Sequence, residues 1–106
     1  MKMGIFRYFK VGDIVRDAPN SVWGNKLFEI KNFHGNAYLP LASAYFVGKP
    51  KTNTNMVNLD LREIKLMSAP KRPLKNINEK TLANLIKKGN IEAEREFLIR
   101  INNNNK

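Results

Sequence analysis

Cysteine is absent from this chain, and histidine and tryptophan occur once each. The first absence excludes disulfides, thiolate nucleophiles and Cys-bound zinc, and it fits a reducing compartment. With His34 as the lone histidine, no Ser-His-Asp or Cys-His set can be built beyond that one residue. His34 stands before Gly35 and Asn36 in an expected turn, where a solvated or hydrogen-bonding role suits it. Asp13, Asp17 and Asp60 also fall in turn contexts and read as acceptors of backbone amides rather than as acids or bases. No phosphate-cradling or dinucleotide-type glycine pattern occurs. The chain is therefore expected to be non-enzymatic, with no cofactor and no metal.

Long apolar runs are missing too. None approaches the roughly 18 residues that a membrane span needs, and the opening MKMGIFRYFKVGD is too short and too charged for the apolar region of a signal peptide. The expectation is a cytoplasmic protein with no membrane insertion.

Acidic residues are scarce against basic ones: 9 Asp and Glu face 19 Lys and Arg, for a net charge of +10. A field of that size attracts polyanions, whether nucleic acid or an acidic protein surface. A general bias toward Asn, Lys and Ile would give the same charge without any such partner. Residues 1–67 hold 10 basic and 5 acidic groups, and residues 68–106 hold 9 and 4, so the shorter tail is the more densely basic part.

What is present divides the chain near residue 68. Before it lie most of the aromatics and the strand-like runs. IFRYF and DIVRD are short strand candidates around Val11-Gly12. APNSVWGNK is rich in turn formers. KLFEIKNF alternates, with Phe28 and Ile30 on one face and Glu29 and Lys31 on the other. HGN is expected to turn the chain, and AYLPLASAYFVG suits a buried strand in which Pro40 marks an edge or a bulge. DLRE is expected to form one helical turn before the strand IKLM. The expected core is Val11, Val15, Phe28, Ile30, Val57, Leu59 and Ile64.

After SAPKRPLK the spacing becomes helical. Asn76 and Glu79 match a capping box. Leu82, Leu85 and Ile86 make one apolar face, and Gly89 is a natural C′ residue. Asn90 can cap a second helix on which Ala93, Phe97, Leu98 and Ile101 fall on one side, with Phe97, Leu98 and Ile101 expected to dock the hairpin. The pairs Glu92–Arg95 and Glu96–Arg100 are helix-spaced ion pairs, each worth only about a few tenths of a kcal/mol.

The stretch FKVGDIVRD, residues 9–17, resembles the first-strand signature of SH3-like barrels, the broad group that includes KOW and Tudor-like domains. GNKLFEIKNF is similar to the second strand of such a barrel, and VNLDLREIKLM to its closing turn and last strand. The resemblance implies an α+β protein. A five-stranded SH3-like β-barrel over residues 1–67 would be followed by a basic linker over 68–75, a helical hairpin over 76–102 and a frayed tail over 103–106. A small domain of phage or mobile-element type fits this description.

Two basic clusters carry the expected function. Lys49 and Lys51 lie in the loop GKPKTNTN. Lys71, Arg72 and Lys75 lie in the linker, with Lys87 and Lys88 on the following helix. Cations on protruding elements make phosphate contacts. Trp23 sits in the first loop, which borders the ligand groove in SH3-like barrels. Free, it would stack on a base or anchor a partner; folded back, it would cover the barrel mouth. The expected function is a nucleic-acid-binding accessory protein, for RNA or DNA. The alternative is a protein-interaction module that binds a host or virion component through an acidic surface.

Overall fold

The computed structural model describes residues 8–104. It is α+β, with five antiparallel strands and two C-terminal helices. The strands are β1 (Ile14–Arg16), β2 (Leu27–Gly35), β3 (Pro40–Phe46), β4 (Met56–Asp60) and β5 (Lys65–Ser68), in the spatial order β4-β3-β2-β1-β5. The helices are α1 (Glu79–Lys87) and α2 (Ile91–Asn104). Among the described residues, no helix is long and apolar enough to cross a membrane.

β4 and β5 are the two edges of the sheet, yet only residues 61–64 join them. Four interstrand steps in a flat sheet span about 19 Å, whereas residues 60 to 65 reach roughly 17 Å even when fully extended. They are not extended, because the Glu63 amide donates back to the Asp60 carbonyl at 3.0 Å. The sheet therefore curls until its edges approach each other. No ladder joins β4 to β5, so it stays open there. DLRE forms this turn, a single i→i+3 bonded one ahead of β5. Asp60 accepts from the Arg62 amide at 2.9 Å and pairs with its guanidinium at 2.7 Å.

The concave face holds the core: Val15, Phe28, Ile30, Ala42, Ala44, Leu59, Leu61, Ile64 and Leu66, with Ile99 contributed by α2. The alternation in KLFEIKNF holds as far as Ile30. There the register slips, with Ile30 opposite Ala44 but Asn32 opposite Ser43, so Lys31 is the extra residue of a bulge. One added residue reverses the phase of everything after it. Phe33, not Asn32, consequently packs against the core. Pro40 lies on an inner strand, not an edge. It is the first residue of β3, a position where a missing N–H is tolerated.

Several expectations need correction. Val11 is 60% exposed, because it precedes Gly12 in a turn closed by the Asp13 amide on the Lys10 carbonyl. Gly12 has φ 94°, as the third residue of a type II turn requires. Val57 is only partly buried against the core. In IFRYF, residues 5–7 lie outside the described residues, and Tyr8 and Phe9 are not in a strand. His34 belongs to β2 and bonds Asn58 at 3.1 Å; the turn follows it, with Asn36 accepting from the Tyr38 and Leu39 amides.

The helical hairpin forms with Gly89 at positive φ and Asn90 accepting from the Ala93 amide at 3.0 Å. The cap of α1 is Asn78, not Asn76, and it accepts from the Thr81 amide at 2.8 Å. Turns at Arg72–Lys75 and Leu74–Ile77 postpone the helix by two residues. Leu82 is buried as expected, but α2 is rotated from its expected pose. Ala93 faces inward as expected, but Arg95, Glu96 and Ile99 do so with it, while Phe97 and Ile101 are 45% and 41% exposed. Residues 103 and 104 are helical rather than frayed. The side-chain amides of Asn102 and Asn103 donate to the Leu66 and Met67 carbonyls of edge strand β5, at 3.0 and 2.8 Å. Such cover blunts an edge that would otherwise template further pairing.

The inward turn of α2 is explained by two charge clusters. Arg95 forms a bidentate pair with Asp13, both bonds at 2.8 Å, with both side chains buried. Arg95 also donates to the Tyr8 carbonyl, and Asp13 accepts from the Lys10 amide at 2.8 Å. The Gly-Asp of the opening motif thus points a carboxylate at the last helix. Glu96, equally buried, accepts from Arg72 at 3.0 and 2.7 Å and from Arg100 at 2.9 Å. Arg100 extends this to the Leu74, Lys75 and Ile77 carbonyls at 3.2, 3.1 and 2.6 Å, which ties the end of the linker to α2.

Arg72 first, and Arg100 after it, hold the Glu96 carboxylate below its ordinary value of 4.5 against the opposing effect of burial. A depressed folded value means that the unfolded chain takes up the proton first. The stabilisation is complete above pH 4.5 and is lost as pH falls toward the folded value. Glu96→Gln should cost on the order of 1–3 kcal/mol at neutral pH and flatten the loss of stability in acid. Denaturant melts across pH 3 to 7 check this; an acid limb of unchanged steepness would assign the pH dependence to other carboxylates.

Candidate nucleic-acid interface

The β1–β2 and β3–β4 loops converge beside the sheet and leave a groove of about 480 Å3 between them. Trp23 and Lys26 come from the first loop, Lys49, Thr54 and Asn55 from the second, and Phe46 from the end of β3. Local chemistry fixes each part. Asp17 accepts from the Ala18 amide and from the Ser21 hydroxyl, each at 2.8 Å, and the Ser21 oxygen in turn accepts from the Trp23 amide at 3.1 Å. Gly24 is needed for close approach: a Cβ there would stand 2.5 Å from the Pro19 carbonyl oxygen. On the other side, the Asn55 side-chain amide donates to the Pro50 carbonyl at 2.8 Å.

Trp23 meets Phe46 nearly at right angles, 78° with ring centroids 5.2 Å apart, and Phe46 in turn packs on Phe28 of the core. The indole thus folds back onto the sheet yet remains 36% exposed. The Lys49 ammonium lies 5.4 Å from the Phe46 ring centre, within cation–π range. Lys26 and Lys49 form no ion pair among the described residues, and no carboxylate lines the groove. Each of four other surface grooves contains at least one carboxylate among its lining residues.

The structure brings Trp23 and Lys49 together, and it adds Lys26 and Phe46, which the sequence did not single out. Lys26 follows the turn formers of the first loop, and Phe46 reads in sequence as one more core aromatic. Lys51 lies near them but is paired with Glu29 at 2.9 Å. Lys71 and Arg72 line a different groove with Lys10, Glu92 and Arg95. Arg72 is only 23% exposed, with two of its nitrogens on Glu96. Lys75, Lys87 and Lys88 are exposed on the linker and at the end of α1.

The remaining turn carboxylates serve backbone amides, as Asp13, Asp17 and Asp60 all do. Among the described residues, no group of three or more His, Asp or Glu could hold a metal ion. Compared with known proteins, the chain matches no family model, no curated protein and no solved structure.

Proposed function

We propose that this chain is a non-enzymatic nucleic-acid-binding module, an SH3-like barrel of the KOW or Tudor-like kind, acting in the cytoplasm as a phage or mobile-element accessory protein. The strand order and the four-residue link between edge strands support the barrel reading. One observation carries the function: an aromatic pair flanked by two lysines that form no ion pair among the described residues, in a groove that no carboxylate of those residues lines. Phosphates are drawn by Lys26 and Lys49, with Lys71, Lys75, Lys87 and Lys88 adding to the field. Arg72 belongs to the linker's attachment and is left out of the contact set.

Titration of labelled oligonucleotides at several salt concentrations tests the proposal. Lys26→Ala and Lys49→Ala should each weaken binding modestly on every sequence and lower the salt slope by up to roughly 1. Failure to bind any oligonucleotide more tightly than about 100 μM, the weak end of non-specific binding, would falsify it. The second reading, a protein-interaction module, draws on Val22 and Val47, which stand 84% and 47% exposed on the same two loops. It predicts a partner with an acidic and apolar surface.

A further inference from the structure

We infer that the groove between the β1–β2 and β3–β4 loops takes an unpaired base, so that the preferred ligand is single-stranded nucleic acid rather than a duplex. The inference rests on the nucleic-acid reading and narrows it. The near-perpendicular contact with Phe46 leaves at least one face of the Trp23 indole uncovered by that ring. In a duplex, both faces of every base are covered by stacked neighbours, and only the edges show in the grooves. An indole face therefore has nothing to stack on until a base is unpaired.

The surroundings fit one base with its backbone. A volume of about 480 Å3 lies within the usual range for small-ligand sites. Leu27 and Val47 add apolar surface beside the rings, and Lys26 and Lys49 supply positive charge for the flanking phosphates. The side-chain NH2 of Asn55 donates to the Pro50 carbonyl at 2.8 Å and to the Thr52 hydroxyl at 3.4 Å, which leaves its oxygen as the atom to accept from a base edge. The hydrogen bonds from Asp17 through Ser21 hold Trp23 before any ligand arrives, which reduces the ordering lost on binding.

The experiment compares one labelled oligonucleotide as a single strand and as its annealed duplex, with poly-glutamate as a control polyanion. Trp23 is the only tryptophan, so its fluorescence reports the groove alone. The single strand should bind more tightly than the duplex and quench the tryptophan. Trp23→Ala should weaken single-strand binding by roughly 5- to 150-fold, the range expected for one stacked base, with little effect on the salt slope, and should cost the single strand more affinity than the duplex. Trp23→Phe keeps a stacking face and should retain most of the affinity, which separates lost stacking from a lost fold. Equal binding of strand and duplex, both tighter than poly-glutamate and without quenching, would overturn the stacked base while leaving a charge-driven nucleic-acid contact in place; equal binding of poly-glutamate as well would reduce that contact to general polyanion adsorption and overturn both readings. Binding to none of them removes the nucleic-acid reading and this inference together.

Discussion

Replacing Arg95 with methionine is expected to lower the melting temperature by roughly 12–40 °C. The side chain is buried and holds both oxygens of the equally buried Asp13. Removing one partner of such a pair leaves the other charge desolvated without compensation, a loss of about 3–5 kcal/mol. In a domain of this size each kcal/mol shifts the midpoint by roughly 4–8 °C. The double variant Asp13→Asn with Arg95→Met removes both charges and keeps an acceptor for the Lys10 amide. It should lose less than the two single variants combined, with a coupling of about 0.5–3 kcal/mol. Thermal melts of the four proteins decide the matter. A single Arg95→Met variant melting within about 3 °C of the parent, less than one kcal/mol on this scale, would mean that the pair does not hold α2 to the sheet.

Val15→Asp should leave no folded protein at room temperature. Val15 is fully buried at the centre of β1, opposite Phe28 on one side and Leu66 on the other. A carboxylate there would lie between two buried apolar side chains with no partner, among the most damaging of single changes. Val11→Asp is the matched control. Val11 stands four residues earlier in the same motif but is 60% exposed, so the change should stay within about 0.5 kcal/mol. Circular dichroism and urea melts compare the two. A folded Val15→Asp protein, or an unfolded Val11→Asp protein, would reverse the inside and outside of the first strand.

The sequence was most legible where the physics is local. Phe28 and Ile30 alternate with Glu29 and Lys31, Gly89 ends a helix, and Asn90 starts one; each depends on neighbours within a few residues. The pose of α2 was not legible. Phe97, Leu98 and Ile101 form the more hydrophobic stripe, and a burial rule based on hydrophobicity alone turns them inward. The structure turns Arg95 and Glu96 inward instead, because Asp13 and Arg72 wait there, and nothing near residues 95 and 96 announces partners 82 and 24 positions away. The bulge at Lys31 was hidden for a related reason, since the register is a property of β2 and β3 together. In the groove, Trp23 and Lys49 stood out by residue type. Phe46 and Lys26 joined them only once the loops were placed.

The ion pair also sets an order of events during synthesis. Asp13 is synthesised 82 residues before Arg95, which at 5–20 residues per second is roughly 4–16 s. Through that interval the sheet can pair its strands, but closing over Asp13 would bury a lone carboxylate, so the site stays hydrated and the body loose. Full compaction is therefore expected to await α2. A chain truncated before residue 95 should keep a looser sheet and be cut more readily by proteases, and one that includes residues 102 and 103 also covers the β5 edge with its asparagines. The salt bridge that joins sheet to helix thereby makes the first-made part of the domain depend on the last-made part.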